Sequence, residues 1–311
     1  MRSLAVFIAL AAMLSVSAAK EDFQTGDFVK QQLNSIGTEQ ARAAVQNRAT
    51  EGTLSFQLKN VATGRQDGKQ VFVSEGGKLV SLLKLPNPSY HGERFVSDGN
   101  KIFIAELKPG VYSALGQFIL VHGEILTEGL WGGTLSTGWA LAHLDERHAK
   151  LQDRGLKKVD GRELRRVDYI PKKRSDLEIQ LYFEPDTFRH AMTVYLLTIS
   201  PQMARSEIQT ARQQETRYRL EERFADFKSV DNLSLPERWT IQFTSEVSTT
   251  GSAGGGGLQT LSAGGGEVGA AGTTINTNGI GSGISPVSEF DVTVTKVSNN
   301  VQLDPKNFEV K

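Results

Sequence analysis

Beyond Glu51 apolar residues recur at every second position, and this period limits the chain more than any other feature. Leu54, Phe56 and Leu58 alternate with Thr53, Ser55, Gln57 and Lys59. Successive side chains on a strand point to opposite faces, so such a segment is a strand with one dry and one wet face. The alternation returns in Leu177-Ile179-Leu181-Phe183, Tyr218-Leu220-Phe224, Trp239-Ile241-Phe243 and Phe290-Val292-Val294. Shorter candidates lie at Val71–Val73, Leu79–Leu83, Ile102–Ala105, Leu164–Ile170 and Met192–Leu197. Between them stand turn residues: Asp67-Gly68, Gly76-Gly77, Asp98-Gly99-Asn100, Pro109-Gly110, Asp160-Gly161 and Pro185-Asp186. Closely spaced strands with short turns imply an antiparallel sheet. A sheet that is apolar on one face must curve or be covered.

Two segments could provide the cover. Phe28, Val29, Leu33 and Ile36 recur at helical spacing, Gly37 breaks the pattern, and Thr38-Glu39-Gln40 restarts it towards Ala44 and Val45. The second segment runs from Ser113 to Ala149. It carries Phe118-Ile119-Leu120-Val121, Ile125-Leu126, Leu130-Trp131, Leu135 and Trp139-Ala140-Leu141, broken by Gly116, Gly123, Gly129, Gly132, Gly133 and Gly138. Each glycine inside a helix costs up to about 1 kcal/mol relative to alanine, so its pieces should be short and held by tertiary contact. Two readings stand open: irregular connecting helices that fill the core, or a lid over an apolar cavity. A hinged lid tryptophan, when truncated, should lose affinity for an acyl probe rather than stability.

The two ends of the chain carry different information. Arg2, the apolar run Leu4–Leu14, small residues to Ala19 and charged Lys20-Glu21-Asp22 follow the order of a secretory signal peptide spanning 1–19, cleaved near Ala18 or Ala19. The run is well short of the roughly 20 residues of a membrane span. Residues 20–311 are expected to form one domain. Within it, 249–285 collapse to Gly, Ser, Ala, Thr and Asn, a composition that cannot offset chain entropy and predicts a disordered loop inserted between two strands.

Chemistry is scarce. There is no cysteine, which excludes disulfides, thiolate catalysis and thiolate metal sites and suits a bacterial periplasm. Lys plus Arg equals Asp plus Glu at 35 each, so no global field draws nucleic acid. Of five histidines, His143 and His148 are five apart, where a zinc helix needs four; His91, His122 and His190 stand singly. Gly133-Thr134-Leu135-Ser136-Thr137-Gly138 misplaces the first glycine of a nucleophile elbow, and no phosphate-binding loop occurs. Glu221-Glu222 and the Asp186–Glu184 pair read as the wet face of strands. The basic stretch Lys150–Arg174 reads as charged hairpin edges, with a site for phosphate head groups as its alternative. No catalytic residue, metal site or cofactor is expected.

The order of elements resembles the periplasmic outer-membrane lipoprotein-carrier family, the Lol-type lipoprotein-sorting proteins. The features carrying it are the signal and opening helix, the strand Leu54–Leu58, Asp98-Gly99 before Lys101-Ile102-Phe103, and the irregular apolar middle. Leu181-Tyr182-Phe183-Glu184-Pro185-Asp186-Thr187-Phe188, Leu235-Pro236-Glu237-Arg238-Trp239 and the ending Val301–Phe308 complete it. The resemblance implies a mainly β (α+β) fold, an incomplete antiparallel β-barrel with helices covering its concave face, that holds acyl chains in transit. The expected lining for an apolar ligand is Phe56, Leu58, Ile104, Phe118, Leu120, Leu126, Leu130, Trp131, Trp139, Ile179, Leu181 and Phe183. Lipid or lipoprotein acyl chains are the expected ligand of a monomer, with an envelope membrane protein as a further partner. A structural or stress-sensing envelope module of the same fold is the alternative.

Overall fold

The computed structural model describes residues 23–60, 64–105, 113–199, 214–249 and 287–310. The signal-peptide reading at 1–19, the turn at Pro109-Gly110 and nearly all of the glycine-rich stretch 249–285 therefore lie outside the described residues.

Two helices, α1 (Thr25–Ile36) and α2 (Glu39–Ala43), precede five strands: β1 (Asn47–Lys59), β2 (Gln66–Glu75), β3 (Lys78–Lys84), β4 (Gly92–Ser97) and β5 (Ile102–Ala105). An irregular segment follows, with α3 (Ala114–Val121), α4 (Glu124–Thr127), single 3-10 turns at Gly133–Leu135 and Ala140–His143, and α5 (Leu144–Arg147). Then come β6 (Lys150–Val159), β7 (Arg162–Ile170), β8 (Glu178–Phe183), β9 (His190–Ile199), β10 (Gln214–Val230), β11 (Leu233–Thr249) and β12 (Val287–Asn299). A last 3-10 turn spans Pro305–Phe308.

All twelve strands form one open antiparallel sheet in the order β5-β4-β3-β2-β1-β12-β11-β10-β9-β8-β7-β6. β12 pairs with both β1 and β11, which joins two meanders into one wall. Its two edges are β5, only four residues long, and β6, which carries Lys150, Arg154, Lys157 and Lys158. A short edge and a lysine-bearing edge both discourage pairing with another chain. Among the described residues no helix is long and apolar enough to cross a membrane.

The alternating segments all fall on strands, and the core takes their apolar side: Leu54 and Phe56, Ile179 and Leu181, Leu220 and Phe224, Trp239 and Ile241, Phe290 and Val292 are buried together. The hairpins turn where expected at Asp160-Gly161, both with positive φ (47° and 80°), as a two-residue turn between twisted strands requires. Asp67-Gly68 is different. It lies inside β2, paired with Ser55 and Leu54. A side chain at Gly68 would meet the Lys84 carbonyl at 2.2 Å, so this glycine serves close strand approach rather than a turn. The C-terminal tail returns over the convex face, where Phe308 packs with Val80 and Val96.

Candidate functional site: a plugged concave face

β5 and β6 stand at opposite edges of the sheet, so the chain between them must cross the molecule. It crosses the concave face and fills it. Leu130 and Trp131 are fully buried and Trp139 nearly so. Trp131 meets Phe95 and Trp239 edge-on, at centroid distances of 5.2 and 5.4 Å. Trp139 lies 4.5 Å from the His190 ring, and its Nε1–H donates to Gln32 of α1 at 3.0 Å. Two glycines permit this fit. Gly132 and Gly133 have φ of 75° and 52°, and a side chain on them would strike Phe72, or His190 and Phe224, within 3.0 Å.

Three charged residues of the wall point inward and hold this plug by its backbone or its cap. Arg48 of β1, 4% exposed, donates from Nη1 to the carbonyls of Thr134 at 3.0 Å and Leu135 at 3.2 Å. Glu222 of β10 accepts from the Gly132 N–H at 2.8 Å, the Tyr195 hydroxyl at 2.8 Å and Trp239 Nε1–H at 2.9 Å. Glu93 of β4 accepts from the Tyr90 hydroxyl and hydrogen-bonds Ser113, whose Oγ caps α3 by accepting from the Gly116 N–H. Burial governs their ionisation. It pushes the Glu222 carboxyl up to about 8 and the Glu93 carboxyl up to about 7, and it lowers the Arg48 guanidinium to about 10. His190, enclosed by Trp139, Phe183 and Phe224, is lowered by burial to about 3 and stays neutral.

The structure divides the expected lining into wall and plug. Phe56, Leu58, Ile104, Ile179, Leu181 and Phe183 belong to strands; Phe118, Leu126, Leu130, Trp131 and Trp139 belong to the plug. All pack in one cluster, with Leu58 half-buried at its margin. Leu120 does not join them. Leu115, Phe118 and Ile119 turn the inner face of α3 to the core, which leaves Leu120 46% and Val121 75% exposed.

Sequence reasoning missed Arg48, Glu93 and Glu222. Glu222 was read with Glu221 as wet face; it faces the core. A signal existed, because Glu222 stands two residues from both Leu220 and Phe224 and so interrupts the apolar series of its own strand. His143 pairs with Glu146 at 3.1 Å on an exposed turn. Among the described residues no three His, Asp or Glu are grouped to hold a metal ion. Four arginines of the basic stretch are paired locally: Arg154 and Arg166 meet Asp168, Arg165 meets Asp153 and Arg162 meets Glu184.

The architecture is therefore an open antiparallel half-barrel plugged by its own crossover. No family model matches the chain, and no curated protein matches it. Among solved structures it is similar to the LolA superfamily protein NE2245 from Nitrosomonas europaea, at 11% identity and a TM-score of 0.44, over 93% of this chain and 99% of that one. It is also similar to a DUF1329 family protein from Desulfovibrio piger and to a candidate outer membrane lipoprotein-sorting protein domain from Vibrio parahaemolyticus. Each of these shows 10% identity, a TM-score of 0.41 and coverage of 92% of this chain and 97% of the other. Likeness at this level transfers no residue role.

Proposed function

We propose that this chain is a non-enzymatic carrier, exported to the periplasm, that shelters acyl chains of a lipid or lipoprotein on the concave face once the plug has withdrawn. The observation that carries the reading is the way the plug is held. Its attachments to the wall include hydrogen bonds from Arg48 and to Glu222, set in dry surroundings, and its helical pieces are short and interrupted by glycines. Such bonds fix one geometry while dry, and water replaces them at small net cost once it enters. The apolar wall uncovered by release, including Phe56, Ile179, Leu181 and Phe183, then needs another cover. An acyl chain supplies it at about 0.8 kcal/mol for each buried CH₂. No bond is made or broken in this function.

The complete burial of Leu130, Trp131 and Trp139 favours a second reading, a structural or sensing envelope module whose sheet is permanently filled by its own side chains. Native mass spectrometry of protein purified gently from the envelope separates the two. Co-purifying lipid or lipoprotein is the expected result for a carrier. A bare mass would favour the module.

A further inference from the structure

Beside the plug, and outside the packed core, lies a cleft of about 400 Å³. Leu33 and Ile36 of α1, Val45 and Leu233 give it apolar walls, and Arg48 and Thr134 also line it. The guanidinium of Arg48 is buried there without an ion-pair partner among the described residues. Its Nε–H donates to Asn299 Oδ1 at 3.0 Å, and the nearby Asp231, whose charge favours the guanidinium without touching it, accepts from Asn299 Nδ2–H at 2.8 Å. Nη1 is shared between the two plug carbonyls, and Nη2 takes part in none of these bonds. A buried charge whose hydrogen-bond partners are all neutral is costly, and an anion in direct contact would relieve it. Two further features favour an anion. Arg42 lines the same cleft against a single carboxylate, Glu39. The hydroxyl of Thr134 is buried without a hydrogen-bond partner.

We propose that this cleft is the head-group site for an anionic amphiphile, whose carboxylate or phosphate oxygens bind Arg48 and draw it away from the carbonyls of Thr134 and Leu135. Head-group recognition and plug release are then one event, and each favours the other by the same factor. The inference rests on the carrier reading and adds to it a ligand class and a trigger. The volume agrees with the division of labour: small-molecule sites run from about 300 to 1,000 Å³, so this one takes a head group and leaves a long tail to be housed elsewhere. Trp139 borders the cleft and belongs to the plug, so the tail has its path to the concave face where the plug withdraws.

Calorimetric titration with dodecanoate, dodecanol and inorganic phosphate tests the proposal. The full chain should bind dodecanoate at least about tenfold more tightly than dodecanol, the scale of a charge-assisted bidentate contact. Arg48→Gln should bring the two close to equality, with dodecanol binding kept. Because a buried arginine can be needed for folding, Ala142→Trp gives an independent check: Ala142 is an exposed residue of the cleft lining, and filling the cleft from there should cut dodecanoate affinity by about tenfold at unchanged melting temperature. Equal binding of acid and alcohol to the unaltered protein, or a preference that survives both substitutions, would overturn the head-group site and leave the carrier standing. Inorganic phosphate displacing dodecanoate at similar concentration would replace the amphiphile with a free anion. Absence of binding by either amphiphile would remove the carrier reading and this inference together.

Discussion

Glu221 and Glu222 are neighbours on β10 and almost equally buried, at 3% and 0% exposure, yet one residue's step along the strand puts them in opposite surroundings. Glu221 faces the convex side. It is held by Arg219 and Arg223, whose side chains are 47% and 38% exposed, so its charge is matched by charges that touch water. Glu222 faces the concave side and meets only neutral donors: a phenol, an indole and a backbone N–H of the plug. The outer face handles charge by pairing it. The inner face handles it by holding the proton, and it ties the plug to the wall with the same carboxyl. The contrast extends beyond β10, since Arg166, Asp168 and Glu178 pair outside while Arg48 and Glu93 stay unpaired by charge inside.

The largest effect should come from the concave side. Trp131→Ala removes a fully buried indole that contacts Phe95 and Trp239, and such a truncation typically costs about 3 to 5 kcal/mol. The sequence led to the opposite expectation, that lid tryptophans would cost little stability and much affinity. Burial changes both halves of it. On the carrier proposal the closed plug competes with the acyl chain for one surface, and apparent affinity scales with the fraction already open. Weakening the plug should therefore lower the denaturation midpoint strongly and raise acyl-probe affinity in the remaining folded protein. An unchanged midpoint would mean that the two faces do not differ as described.

A smaller effect concerns pH and isolates Glu222. The group titrates near 4.5 when unfolded and near 8 when folded. The folded chain therefore keeps a proton that the unfolded chain has released, and the stability this confers is complete below about 4.5 and is lost as pH rises through about 8. Between those values stability falls by about 1.4 kcal/mol per pH unit for such a proton. Glu93 acts with the same sign up to about 7, whereas His190 contributes fully above 6.5 and loses its contribution as pH falls towards 3. The interval from about 7 to 8 thus belongs to Glu222. Glu222→Gln, which has no proton to lose there, should flatten the decline in urea-unfolding stability across that interval; equal slopes in both proteins would show that Glu222 does not hold its proton in the folded chain.

The sheet was legible where apolar residues stand at every second position. β1, β8, β10, β11 and β12 show plain alternation, and the apolar, glycine-broken run at 113–149 was one of the two segments expected to cover the sheet. β4 was not legible because its residues do not alternate: Phe95 packs inward beside the charged Glu93, while Val96 packs outward under Phe308. β6 was legible only as part of a charged hairpin edge, since a register shift between Asp153 and Leu156 interrupts its period. The plug's tethers lay further from view. Gly132 and Glu222 stand 90 residues apart, and only the folded register brings that N–H to that carboxyl.

The smallest expected effect falls on the convex face and sharpens the comparison from its other side. Glu221→Gln removes one charge from a pair of arginines but leaves an amide oxygen that can still accept from Arg219 or Arg223. Both guanidinium groups are more than a third exposed, so water and ions already screen much of the attraction, and the loss should be about 1 kcal/mol or less. That loss should shrink further at about 1 M salt, where the screening length is about 3 Å. The Glu222→Gln effect should not shrink, because its partners carry no charge and lie out of reach of ions. Urea denaturation of the two variants at low and high salt therefore separates the faces by response rather than by size. A Glu221→Gln cost as large as that of Trp131→Ala, or one indifferent to salt, would mean that the convex pairs are part of the dry interior and that the two carboxyls of β10 share one environment.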